Sequence, residues 1–421
     1  MKGGALKSAC YDPGVLAFDE ALARVLDAVT RLGGETVPLD GAAGRVLAEA
    51  VAADLDLPPF DTTAMDGWAV RAADVASAPA LLRVAGGTVG AGGSGPPLAP
   101  GTALKVMTGA PMPEGSDAVV PVEEAEDRGA QVRLLASPKA GAHVRRRGEV
   151  IARGEALLEP GGRLSPADLV LLASAGRGAA RVARRARAAV LVTGDEIVPP
   201  SSRPGPAQIR NTNGPLLVAA LGRLGAEVED LGTSRDDRAA LSAALGSALE
   251  RDVDLLLTTG GVSAGDFDLV PAVLEALGVA ACFHKVAIKP AKPVFFGTRG
   301  RTLVFGLPGN PVSAAVAFDL LVRPALRKAS GLSPALPAPD EARLTAPVAN
   351  KGARLAFHPA RLARAEGRLL AEPIRSKGSH DVLAHARANG LLVLPPDSAH
   401  AAGDRVPAYA GTEETTLGRL D

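Results

Sequence analysis

Apolar side chains recur at helical spacing over residues 15–32 (VLAFDEALARVLDAVTRL), and Gly33-Gly34 closes the run, so a first helix is predicted there. From about Asp61 to Ala142 the pattern changes to short β-type runs (ALLRVAGGTV, TALKVMTG, DAVVPVEEAE and AQVRLLAS) parted by turn residues. That predicts a small β domain. A basic and polar stretch at 143–163 leads to Ser165, a suitable N-cap, and Pro166, a suitable first helical residue, for a helix through Leu172. Helical segments flank the β stretch on both sides, which predicts that it is inserted into a first, helical domain.

Residues 187–330 read differently. Strand-like runs (AAVLVTG, VDLLLTTGG, PVFFG, TLVFGLPG) alternate with helical patterns at 213–224, 236–250, 268–278 and 311–329. Such alternation with short loops predicts a three-layer α/β domain, its mainly parallel sheet covered on both faces. A linker, GLSPALPA, follows at 331–338, and 340–421 returns to short β-type segments. The chain therefore reads as α/β plus β and multidomain: 1–55 with 143–186, an inserted 56–142, then 187–332 and 333–421. Its 421 residues suit two to four domains.

Composition removes several function classes. Lys plus Arg and Asp plus Glu each total 46, and a chain without basic excess is not expected to bind nucleic acid or a membrane surface. Any anion site must be local. Two cysteines, Cys10 and Cys282, cannot build a zinc cluster or a disulfide framework. The opening residues lack a signal-type apolar run, and no uncharged apolar stretch reaches bilayer length, so a cytoplasmic protein is expected.

In open α/β sheets, ligands bind beyond the carboxyl ends of the strands. Four loops there carry chemistry. AVLVTGDEIV places Asp195 and Glu196 after a strand; LLLTTGGVSAGDFD offers Thr258, Thr259, Gly260, Gly261 and Ser263, then Asp266 and Asp268. AIKPAKP presents Lys289 and Lys292, and FGLPGNPVSAAVAF runs Asn310 into a helix with Ser313 in its first turn. Singly, each reads as a turn, a cap or a solvated lysine. Together they describe phosphate donors, two cations and hard oxygen ligands suited to Mg²⁺. The β region adds Asp61, Thr62, Thr63 and Asp66 in FDTTAMDGWAV, Thr108 in VMTGAP, and Arg145, Arg146 and Arg147 in VRRRGEV. In isolation Asp66-Gly67 also reads as a plain turn, and the arginine run reads better as a solvated charged face.

Taken in order, FDTTAMDGWAV, MTGAP, RRRGE, TGDE, TTGGVSAGDFD, IKPAKP and GLPGNPVSA resemble the signature of the MoeA family, itself similar to the C-terminal part of gephyrin, over about residues 15–410. The resemblance implies an elongated first domain, a β-barrel-like last domain, and a homodimer whose sites are shared between subunits. It implies catalytic roles for Asp66, Thr108, Glu196 and Asp268, with Asp66, Thr108 and Arg147 contributed from across the dimer. It assigns Asp195, Glu196 and Asp268 to Mg²⁺ and nucleotide handling. Gly260, Gly261 and Ser263 become a phosphate cradle, with Asn310 also binding. Lys289, Lys292, Ser313 and Ser379 are implied in capturing molybdate. Ala291 stands where the family commonly has Gly, Trp68 where Tyr is common, and Thr62 where Asn is common. Pro359 lies near a family Arg position that Arg354 or Arg361 could serve.

The implied reaction is insertion of molybdate into adenylylated molybdopterin with release of AMP. Transient contact with the adenylyltransferase and with later cofactor-handling proteins is implied too. The rivals are the adenylyltransferase itself, which lacks the three extra regions, and a gephyrin-like scaffold, which needs a fusion this chain does not have.

Overall fold

The computed structural model describes residues 14–262 and 269–420, and its contacts divide into two compact units. One unit is Thr36–Pro160 with Leu164–Arg181; the other takes the described residues up to Glu35, Gly161–Arg163 and everything from Val182 on. Among the described residues no helix is long and apolar enough to cross a membrane.

The first unit is built on a six-stranded sheet in the order Ala118–Pro121, Gly67–Val70, Thr102–Val106, Ala80–Val84, Gln131–Leu134, Ala125–Asp127. Both faces are covered: Trp68 and Val70 join one apolar cluster, while Ala69 and Val119 join another. That is why Gly67–Val70 shows no polar alternation. Gly67 is required by close approach, since a Cβ there would lie 2.2 Å from the Val120 carbonyl oxygen.

The sequences flanking this sheet form β ladders rather than the helical domain expected. Thr62–Thr63 pairs antiparallel with Val144–Arg145, and Val51–Ala52 with Ala156–Leu158. One helix, Pro166–Ser174, does form, with Ser165 and Asp168 in a reciprocal capping box. The first predicted helix is shorter, Phe18–Asp27, and its buried face belongs to the other unit's core. Its expected last turn is lost to tertiary bonding: the Leu32 N–H donates to the Ala329 carbonyl.

In the second unit a six-stranded sheet runs in the order Glu227–Ser234, Arg187–Thr193, Leu255–Thr259, Thr302–Leu307, Pro293–Arg299, Ala280–Lys285. Its first four strands are mutually parallel and Pro293–Arg299 runs opposite. Ala188 and Val190 face one core, Ala189 and Leu191 the other. The predicted helix over 311–329 exists as Pro311–Ala317 and Arg323–Ser330, joined by a π turn at Phe318–Val322. Pro324 explains the wide turn, because it has no N–H for the Leu320 carbonyl and its ring crowds that oxygen.

The C-terminal part closes into a five-stranded barrel. Asp340–Leu344 pairs with Arg368–Pro373 and Arg405–Ala410; Gly390–Leu394 pairs with Arg405–Ala410 and with Leu355–Ala365, which completes the ring through Arg368–Pro373. Ala342, Leu362, Leu392 and Val406 fill it.

Candidate functional site

Three loops leave the same edge of the central sheet. Arg187–Thr193 ends in Gly194-Asp195-Glu196, Leu255–Thr259 in Gly260-Gly261, and Thr302–Leu307 in Pro308-Gly309-Asn310. The Lys289–Lys292 loop reaches this edge by a different route. It precedes Pro293–Arg299, whose reversed direction pairs Phe295 with Gly306 and so places Pro293 beside the carboxyl end of its neighbour. Gly260 has φ +93° and its N–H donates to the Leu307 carbonyl (3.2 Å); a Cβ there would sit 2.4 Å from the Thr193 carbonyl oxygen. Only glycine fits so close to the neighbouring strand.

Asp195 and Glu196 are exposed, and among the described residues no group of three His, Cys, Asp or Glu side chains could hold a metal. Ser263 and Asp268, expected to complete the phosphate and metal sets, lie outside the described residues.

Beside the Lys289–Lys292 loop is a cleft of 740 Å³, formed by the α/β sheet edge and the barrel. That volume matches small-molecule sites, roughly 300–1,000 Å³, and far exceeds what a tetrahedral oxyanion needs. Lys289, Lys292, Arg354 and Lys377 line it, and no Asp or Glu among the described residues does. Four cations in a wall without a described carboxylate give the cleft a positive lining, the kind that attracts anions. Asn310, Ser313 and Ser379 supply neutral polar groups in the same wall. Asn310 occupies the N-cap of Pro311–Ala317 without capping it; its Nδ2 donates instead to the Ser379 hydroxyl at 3.1 Å, joining barrel to sheet edge.

Arg354, not Arg361, is the arginine in this cleft, and its Nη1 is steadied by the Ile288 carbonyl at 2.8 Å. Two histidines also line the cleft: His358, which has no paired motif in the sequence and reads there as structural or solvent-exposed, and His385, which no motif singles out. Burial lowers the His358 pKa, and the charge of Lys289 adds to that; burial pushes His385 down to about 4. Both are neutral near pH 7, so the positive charge comes from lysine and arginine alone.

In the other unit, one Asp66 carboxylate oxygen accepts from the Thr108 N–H (2.6 Å) and hydroxyl (2.7 Å). These bonds hold the Asp66 pKa below the usual carboxylate range, the backbone bond first. Arg147 is anchored: its Nε donates to Asp56 (2.6 Å) and its N–H to Asp61 (2.8 Å), while Arg146 takes the other Asp61 oxygen. The Arg147 side chain is still 64% exposed, and its Nη groups take no part in these bonds. The ladder between Thr62–Thr63 and Val144–Arg145 is what brings these two motifs together.

Residues 16–176 match the MoeA N-terminal region (domain I and II), 189–328 a probable molybdopterin binding domain, and 341–410 the MoeA C-terminal region (domain IV). A relative from Mycobacterium tuberculosis, molybdopterin molybdenumtransferase 2, is 38% identical over 390 residues, covering 89% of this chain and 94% of its own. The chain belongs to the MoeA family. A second member, the molybdopterin molybdenumtransferase of Bacillus subtilis, is 36% identical over 90% of each chain. The crystal structure of a molybdopterin biosynthesis MoeA protein from Pyrococcus horikosii superposes with a TM-score of 0.82 at 33% identity, covering 94% of this chain and 99% of that one. The motifs read from the sequence therefore sit on a fold shared by MoeA proteins.

Proposed function

We propose that this chain is a molybdotransferase of molybdenum cofactor biosynthesis, inserting molybdate into adenylylated molybdopterin with release of AMP. The observation that carries this is the cleft: four cations, no described carboxylate, and room for far more than an oxyanion. Curated relatives at 36–38% identity named for this activity support it.

Lys289, Lys292 and Ser313 would hold the molybdate dianion through charge-assisted and hydroxyl hydrogen bonds. Ser379, fixed by Asn310, would orient it from the barrel side. Gly260 and Gly261 would let backbone N–H groups approach the pyrophosphate. Bringing dithiolene and oxyanion together in one cleft removes much of the entropic barrier. Asp195 and Glu196 offer carboxylate oxygens, the donor type Mg²⁺ takes, and Asp268 would join them. Bound there, Mg²⁺ would neutralise phosphate charge and ease departure of AMP.

The reading extends to a cytoplasmic homodimer in which Asp66, Thr108 and Arg147 serve a partner copy. Support for assembly comes from the large apolar side chains exposed near this motif, including Leu55, Phe60, Met65 and Met107. The direct test supplies adenylylated molybdopterin, molybdate and Mg²⁺ to the purified chain. Stoichiometric AMP release and active cofactor are expected; no AMP release, or release that is unchanged after thorough chelation, contradicts the scheme.

A further inference from the structure

We infer that Asn213 is a positioning residue that couples the nucleotide side of the site to its oxyanion side, an inference that rests on the reading above. Asn213 opens the helix Asn213–Arg223 and is only 6% exposed. Its Nδ2 donates to the Thr259 hydroxyl at 2.7 Å and to the Gly309 carbonyl at 2.8 Å. The Thr259 hydroxyl in turn donates a hydrogen bond to the Pro308 carbonyl at 2.9 Å. One amide therefore spans the turn leading into Gly260-Gly261 and the turn leading into Asn310 and Ser313.

The third loop joins through the backbone. Ile197–Val198 pairs in parallel with Ile209–Arg210, and the Ile209 and Asn211 N–H groups donate to the Glu196 and Val198 carbonyls, each at 2.8 Å. Two residues later comes Asn213. The glycine loop and the oxyanion loop are thus tied at the Asn213 side chain, and the carboxylate loop at the backbone just before it.

Chemistry speaks against Asn213 as mere core filling. Its Oδ1 is buried with no hydrogen-bond partner among the described residues. An amide with an orphaned carbonyl is a costly way to occupy a buried position, and an apolar residue would fill it without that cost. What the amide alone supplies is two donors aimed at two different loops. A shift at Gly309 reaches Asn310 and Ser313 directly, and a shift at Thr259 reaches Gly260. Binding on one side then favours the loop positions that the other side needs.

The test measures AMP and molybdate binding by calorimetry on the full chain with Mg²⁺, each alone and each with the other saturating. In the wild type, molybdate is expected to tighten AMP binding about fivefold or more, and AMP to tighten molybdate by the same factor. Asn213→Asp puts a carboxylate oxygen where the donors stood, facing the Gly309 carbonyl, and should bring that factor to one while each ligand alone still binds. Thr259→Val removes the middle hydroxyl at nearly constant volume; it should do the same, and it decides the matter if Asn213→Asp does not fold. A coupling factor retained in the folded variants overturns the inference, even if both separate affinities fall. A wild-type chain that binds both ligands with no coupling overturns the inference but leaves the molybdotransferase reading standing. A wild-type chain that binds neither ligand overturns that reading and the inference with it.

Discussion

Asp66 and Thr108 are 42 positions apart, yet one oxygen of the Asp66 carboxylate accepts two hydrogen bonds from Thr108, at 2.6 and 2.7 Å. Sheet register produces the contact. Gly67 and Val106 are cross-strand partners, so the residue before one strand meets the loop after the other. Both bonds favour the ionised carboxylate, the backbone bond most, and the pKa falls below its ordinary value.

A pH prediction follows from that sign. A depressed pKa keeps Asp66 charged down to more acidic solution than a free aspartate, so any step needing its charge is lost only as pH drops through the lowered value. Thr108→Val removes the hydroxyl bond and keeps the backbone one. The carboxyl carbon of Asp66, followed by NMR, should then titrate at higher pH than in the wild type, and the acid limb of turnover should move the same way. Equal titration midpoints in the two proteins would show that the hydroxyl contributes nothing.

Lys292 tests the oxyanion assignment. It is exposed in the cleft wall, in a loop held by the Val286 N–H bonding to the Lys292 carbonyl at 2.9 Å, so truncating its side chain leaves the backbone tie intact. Lys292→Ala should remove one charge-assisted bond worth about 1.5–3 kcal/mol, raising the molybdate requirement roughly ten- to a hundredfold. Binding of the adenylylated pterin should change little. The opposite pattern, with pterin binding lost and the molybdate requirement constant, would make Lys292 a phosphate ligand.

How much of this was legible beforehand depended on where each element sits. The interior strands carry continuous apolar runs and were readable. The two missed strands, Glu227–Ser234 and Ala280–Lys285, are the two edges of the central sheet. An edge strand is paired on one side only, and Glu227–Ser234 has no fully buried position, so neither period nor apolar run announces it. Motifs found the loops but not their partners. Choosing Arg354 over Arg361 took the fold, and so did seeing that Asn310 leaves its helix uncapped to reach Ser379. Asn213 carries no motif signal; its role lies in distances to Thr259 and Gly309, which no spacing encodes.

Ala291, in the Lys289–Lys292 loop, adopts φ +75° and is 3% exposed. An L-residue in this region is strained by roughly 1–2 kcal/mol. Replacing it with glycine relieves that strain but gives up a buried methyl worth about 0.8 kcal/mol and adds chain entropy of about 0.5–1 kcal/mol. The three terms nearly cancel, so Ala291→Gly should leave unfolding free energy almost unchanged. Ala315→Gly, in the helix Pro311–Ala317, has no strain to relieve and should cost about 1 kcal/mol or more. Denaturant titrations of the two variants check the contrast; equal losses would mean that Ala291 bears no strain.

Asp319 gives the sharpest stability prediction. It lies in the π turn, 3% exposed, where its two oxygens accept from the Thr416 N–H at 2.9 and 3.1 Å and one accepts from the Thr416 hydroxyl at 2.8 Å. Arg323 stands 4.0 Å away, itself buried. Burial outweighs the attraction of Arg323 and the Thr416 bonds, and pushes the carboxyl up to about 6. With the folded value raised, the native chain holds a proton between about pH 4 and 6 that the unfolded chain has released. This group's contribution to stability is therefore complete below about pH 4 and is lost as pH rises through about 6. A shift from 3.8 to about 6 is roughly two units, which bounds the loss at about 3 kcal/mol. Carboxylates held low, such as Glu414 beside Arg327 and Arg163, pull the other way, so the wild-type curve alone mixes both signs. The difference between wild type and Asp319→Asn isolates the one group, because the amide does not titrate and keeps an acceptor for Thr416. Relative to the wild type, the variant should gain stability steadily from pH 4 to 6.5 and by a constant amount above that. Unfolding curves that stay parallel across this range would mean that Asp319 ionises as readily inside the fold as outside it.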